Sequence, residues 1–172
     1  MKSTQIKSSL ILFVLCISIL SLSSSCKKDE TTAKSDDIVG TWELTELTID
    51  GYLEIFDEMV PATGMAKDIS SPQLTFNSDG TFEGSAGTYT IVYFEKSEGT
   101  QLFELPGASF SGSGTWERNG NTLKVNSDSL EAFANDGDVN IVSITGTAVH
   151  ISGTIKHDSG EETKVDMKFA RK

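Results

Sequence analysis

Three groups of residues carry chemistry that their types and spacing could organise. His150 and His157 are the only imidazoles, and so the only side chains ordinarily titrating near neutral pH. Neither accompanies a Gly-x-Ser-x-Gly elbow or a cysteine that could serve as nucleophile. His150 alternates with Val149 and Ile151 and so should point away from their face, as an ordinary strand residue; His157, beside a turn, reads as solvated. Asn135-Asp136-Gly137-Asp138 offers oxygen ligands of the kind Ca²⁺ takes, but it lacks the spacing and bidentate Glu of an EF-hand and reads as a plain turn. Two separated histidines without a thiol cannot complete a four-ligand zinc site, and no Gly-rich phosphate loop opens a helix. The expectation is a protein that is not an enzyme and that has no cofactor and no metal.

The third group is the cysteines. Lys2 and Lys7 form a positive start, Leu10 to Leu22 an almost unbroken apolar run, and Ser23-Ser24-Ser25 leads to Cys26. The run is shorter than the ~20 residues a comfortable membrane span needs, so it reads as a cleaved signal peptide rather than an anchor helix. Cleavage before Cys26 leaves 147 residues of the 172 and removes Cys16, so no intramolecular disulfide remains possible. Leu22-Ser23-Ser24-Ser25-Cys26 resembles the bacterial lipobox, in which the Cys receives diacylglycerol and becomes an acylated N-terminus. That resemblance implies a membrane partner through lipid on Cys26. More than one acyl chain, at about 0.8 kcal/mol per buried methylene, holds a protein at a bilayer. The following Lys27-Lys28-Asp29-Glu30 looks like the charged export signal of surface lipoproteins, which implies the outer membrane and its cell-surface side; the alternative is the periplasmic face.

The whole chain carries net charge −11, and without the two lysines of residues 1–25 it carries −13. An acidic domain repels phosphate backbones, so nucleic acid is excluded as a partner. Residues 26–37 are polar and lack large apolar side chains, as in a flexible tether; the fold is expected over 38–172.

That fold must be all-β. Gly-Thr followed by an aromatic or aliphatic residue recurs at Gly40-Thr41-Trp42, Gly80-Thr81-Phe82, Gly87-Thr88-Tyr89, Gly114-Thr115-Trp116 and Gly153-Thr154-Ile155, at irregular intervals that suit a meander rather than a solenoid. Val165, Met167 and Phe169 alternate with Lys164, Asp166 and Lys168, a half-buried strand. With turns such as Asn77-Ser78-Asp79-Gly80, Asn119-Gly120 and Ser159-Gly160 between them, strands are expected near 39–49, 72–77, 80–95, 109–118, 121–126, 138–145, 147–157 and 162–170. About eight antiparallel strands suit an up-and-down β-barrel, with a two-sheet sandwich as the competitor. Between the first two strands, residues 52–67 mix Leu53, Ile55, Phe56, Met59 and Val60 with acids, which predicts a short helix or a folded loop.

Ile38-Val39-Gly40-Thr41-Trp42-Glu43-Leu44, the hairpin from Leu74 to Phe82, Gly114-Thr115-Trp116 with Asn119-Gly120-Asn121-Thr122-Leu123, and Phe169 followed by Arg171 together resemble the lipocalin-like domain of bacterial lipoproteins. The resemblance covers essentially all of 38–172 and departs from an even strand pattern at Pro106 to Gly114. It implies a Gly-x-Trp, here Gly40 and Trp42, packed at the closed end of the barrel against a basic residue, here Arg171. The interior of such a barrel, with its open end, is where a small apolar or amphipathic ligand is expected to be buried. The residues expected to line that interior or its mouth are Phe76, Phe82, Tyr89, Ile91 and Phe103. If the aromatics instead fill the barrel, the protein is an interaction module using the open-end loops or residues 52–68, with a partner that the sequence leaves unknown.

Overall fold

The computed structural model describes residues 37–85, 87–127 and 138–172, and every regular element in them is a strand. The signal region, Cys26 and most of the acidic turn 135–138 lie outside the described residues. Eleven strands run in order: β1 Gly40–Ile55, β2 Glu58–Ser70, β3 Gln73–Phe76, β4 Thr81–Gly84, β5 Thr88–Glu95, β6 Gln101–Ser109, β7 Gly112–Asn119, β8 Thr122–Asn126, β9 Asp138–Ile144, β10 Ala148–Lys156 and β11 Glu162–Arg171.

Eight of them close a ring in the order β1-β3-β4-β7-β8-β9-β10-β11, sealed where β11 pairs antiparallel with β1 from Trp42↔Arg171 to Asp50↔Lys164. The remaining three extend from the far half of β1 as a sheet, β1-β2-β5-β6. Both arrangements follow from strand breaks. β2 and β3 are successive stretches of chain on the same edge of β1, which pairs Thr48↔Met65 with the first and Glu43↔Gln73 with the second. β4 and β5 then pair with β3 and β2, and β6 and β7 with β5 and β4. Three long strands are thus each split in two, β2 from β3 at residues 71–72, β4 from β5, and β6 from β7 at 110–111, and the barrel remains an eight-stranded meander. Asp68 and Ser71 take positive φ, 51° and 47°, at the first break. Gly84 permits the chain at the third break to dock, since a Cβ there would lie 1.5 Å from the Phe110 carbonyl oxygen.

The short helix or loop expected between the first two strands is not found: residues 52–67 form the β1–β2 hairpin, paired from Thr48↔Met65 to Ile55↔Glu58. Its tip, Phe56-Asp57, adopts the left-handed conformation at φ 52° and 65° without a glycine, so the usual turn signal is missing from the sequence. Pro61, which argues against a helix, sits in the strand facing away from the interior.

One end of the barrel is solidly packed. Trp42 is fully buried and donates from Nε1 to the Ile38 carbonyl at 2.7 Å, drawing residues 37–39 across the end with Ile38 itself at 0% exposure. Arg171 lies with its guanidinium 4.4 Å from the centre of the Trp42 ring and donates to the carbonyls of Val39 and Asp37. Phe76, Phe82 and Trp116 pack together above them, the latter two rings meeting Phe76 at 6.1 and 5.7 Å. Leu44, Leu47, Leu74, Leu123, Ile141, Ile151, Met167 and Phe169 complete this core.

On the outside of β10 and β11, His150 Nε2 lies 3.0 Å from Asp166 Oδ1, and Lys164 meets Asp166 Oδ2 at 2.9 Å. Partial burial works to raise the Asp166 pKa, but the hydrogen bonds from Lys164 and His150 outweigh it and hold the carboxyl below its ordinary range. A depressed folded-state pKa contributes stability above the unfolded value, about pH 4, and that contribution is lost as pH falls through the lower folded value. Thermal melts from pH ~6 to ~3 should therefore show a shallower acid loss in Asp166→Asn than in the native protein. Equal slopes would remove Asp166 from the acid response.

Candidate functional site

At the other end the inward residues no longer meet across the barrel. β1 contributes Ile49, Tyr52 and Leu53, β5 Tyr89, Ile91 and Tyr93, β6 Leu105, Ala108 and Ser109, β10 and β11 Ile155, Thr163 and Val165, and the turn between them His157, around a cavity of about 350 Å³. The volume persists because β2 brings small residues, Ala62, Gly64 and Ala66, beneath the β5 aromatics; a Cβ on Gly64 would press on the Tyr93 ring at 3.1 Å. Glycine also sets the approach of β1 to β11, where a Cβ on Gly51 would lie 2.5 Å from the Thr163 Cα.

The floor is aromatic: Tyr89 stacks on Phe110 at 5.4 Å, and Phe110 on Phe169 at 5.9 Å, which separates the cavity from the packed end. At the rim, Tyr93 stacks on Phe103 at 4.9 Å. The lining is apolar apart from three tyrosine hydroxyls, Ser109 and a connected pair, His157 and Thr163. Thr163 Oγ1 donates to the Tyr52 carbonyl at 2.7 Å and accepts from the Tyr52 amide at 2.8 Å. The same hydroxyl lies 2.9 Å from His157 Nε2, so Tyr52 and His157 together engage it. Burial and then the neighbouring Tyr93 push the Tyr89 phenol up to about 12, and burial raises Tyr93 as well.

Of the five residues expected from sequence, Tyr89 and Ile91 line the cavity. Phe76 and Phe82 do not: they lie in the packed end against each other and Trp116. Phe103 stands behind Tyr93, 39% exposed, outside the lining. His157, read as solvated, is a wall residue instead: it lies just past the end of β10 at Lys156 and keeps to the side of Val149, Ile151, Gly153 and Ile155. Tyr52, Leu53 and Leu105 were hidden by the unrecognised β1 extension and β6.

A larger depression of about 580 Å³ lies among Asp79, Thr115, Glu117, Lys124 and Asn126, with Trp116 beneath. The first five of these side chains are exposed and polar, Asp79 in the β3–β4 turn and the others on the outer face of β7 and β8, so this is a surface groove with nothing to bury an apolar ligand. Among the described residues, no group of three or more His, Cys, Asp or Glu is placed to hold a metal ion.

No curated protein matches the chain. Among solved structures, japanin from Rhipicephalus appendiculatus bound to cholesterol is similar over 80% of this chain and 78% of its own, at 12% identity and a TM-score of 0.34. Residues 38–148 match the model of the lipocalin-like domain, a stretch that runs from the strand carrying Trp42 to the start of β10. With that match covering well over half of its length, the chain belongs to the lipocalin-like domain family.

Proposed function

We propose that this protein binds a small apolar or amphipathic molecule in the open end of its barrel and performs no chemistry on it. The observation that carries this reading is the cavity of about 350 Å³, whose size falls in the range of small-molecule sites and whose walls are mostly aliphatic and aromatic with few polar groups. The family is one of binding folds, and neither histidine is paired with a nucleophile: His150 faces outward to Asp166, and His157 is committed to Thr163.

The same reading places the protein on a lipid anchor at Cys26, on the outer surface of the outer membrane. Its support is the Leu22-Ser23-Ser24-Ser25-Cys26 sequence after an apolar run and the charged Lys27-Lys28-Asp29-Glu30. Native mass spectrometry of the full-length protein, purified from the cells that make it, tests both parts. The expected masses show loss of residues 1–25, acylation of Cys26 and a bound small molecule. An unmodified N-terminus refutes the anchor. Absence of any bound molecule, together with no uptake of a neutral naphthalene probe, refutes the ligand site. Protease treatment of intact cells should degrade the protein, and protection would assign it to the periplasmic face.

One observation favours a second role as an interaction module. Phe56 at the tip of the β1–β2 hairpin is 96% exposed, with Met65 on the outer face of the same hairpin at 51%. In-cell cross-linking from position 56 would capture a protein partner under this reading.

A further inference from the structure

The polar groups in the cavity wall are of two kinds. The Thr163 hydroxyl is saturated by Tyr52 and His157. The Tyr89 hydroxyl is not. Tyr89 is only 2% exposed and its ring is held by Phe110, yet among the described residues its hydroxyl has no hydrogen-bond partner, and the side chain faces the cavity. The hydroxyl is not sealed from solvent; it is the part of Tyr89 that opens to the cavity, so a molecule entering there meets a donor that no protein group has engaged.

We propose that Tyr89 sets the chemical class of the ligand, its hydroxyl donating a hydrogen bond to a neutral oxygen, a carbonyl or an alcohol, on an otherwise apolar molecule. This rests on the cavity being a ligand site. With its pKa at about 12 the phenol keeps its proton throughout the physiological range, so it acts as a donor and not as an anion. No lysine or arginine lines the cavity among the described residues, and the rim imidazole has Nε2 engaged by Thr163. A carboxylate carried inside would lose its water without gaining a cation, and the net charge of −11 opposes its approach. Tyr93, four residues on along the same face, offers a second phenol nearer the mouth.

The test uses three probes of one shape: acetylnaphthalene with a carbonyl, ethylnaphthalene without it and naphthoate with a charge, each measured by equilibrium dialysis at neutral pH. The native protein should bind acetylnaphthalene about five- to tenfold more tightly than ethylnaphthalene, the worth of one hydrogen bond, and naphthoate most weakly. Tyr89→Phe should bring the two neutral probes to equal affinity while leaving ethylnaphthalene unchanged. Because the lost hydroxyl has no partner, the ligand-free variant should melt at or above the native temperature. A preference for the carbonyl that survives Tyr89→Phe overturns the proposal, as does tightest binding of naphthoate or a melting point several degrees lower. Equal binding of the two neutral probes to the native protein overturns the role of Tyr89 and leaves the cavity as a ligand site. Binding of none of the three contradicts the ligand site itself, and this proposal with it.

Discussion

Replacing Trp42 with alanine is expected to destabilise the protein by about 3–5 kcal/mol, the range for removing a fully buried large aromatic. Three losses coincide at this residue. The indole volume at the centre of the packed end is vacated, the Ile38 carbonyl loses its donor, and Arg171 loses the ring beneath its guanidinium. The cation–π contact contributes the least, about 0.5–1 kcal/mol, because Arg171 is exposed; the vacated volume dominates. Urea unfolding should report the change, and the melting temperature should fall by about 10 °C or more. The cavity lies beyond the Phe110–Phe169 floor, so Trp42→Ala protein kept folded at low temperature should bind acetylnaphthalene as the native protein does. A variant melting within about 2 °C of the native protein would show that residues 37–39 do not depend on Trp42.

The opposite pattern is expected for Ala108→Trp. Ala108 on β6 lies opposite Tyr89 in register and faces the cavity. An indole there enters open space rather than a filled core, so stability should change by no more than about 1 kcal/mol, less than overpacking usually costs. The ring would occupy a large share of the volume above Tyr89, and binding of acetylnaphthalene should weaken by at least about tenfold. Dialysis of this variant beside Trp42→Ala separates the two ends of the barrel: one substitution removes stability and spares binding, the other the reverse. Native affinity in Ala108→Trp would place the ligand elsewhere.

How much of this could be read from the chain depended on which strands are buried on one face. β8 and β11 alternate cleanly because one side meets the core and the other meets water, and Leu123, Val125, Val165, Met167 and Phe169 can be placed inside from pattern alone. β2 and β6 obey no such rule. The inward face of β2 is Ala62, Gly64 and Ala66, small residues chosen by the space above them rather than by hydrophobicity, and its hairpin turn carries Phe56-Asp57 in place of glycine. β6 stands at the edge of the sheet, mostly exposed, with register shifts and with Pro106, which an edge strand can accept because one side of its backbone has no strand partner among the described residues. The site inherits the same division. Tyr89 and Ile91 stand out as apolar residues on a recognisable strand, whereas Tyr52, Leu53, Leu105 and His157 enter the wall only once β1 is lengthened, β6 exists and β10 is followed past its end.

The seam between β1 and β11 also bears on how the molecule is made. A ring in which β1 bonds β11 cannot close before β11 has been made, since the register runs from Trp42↔Arg171 to Asp50↔Lys164. Contacts of such long sequence separation form late and slowly. Until then β1 offers one unpaired edge, and Trp42 lacks the guanidinium that caps it. The growing chain is thus held open by its own topology, a state prone to aggregate if left waiting, and β11 acts as the clasp that commits the barrel to its folded form.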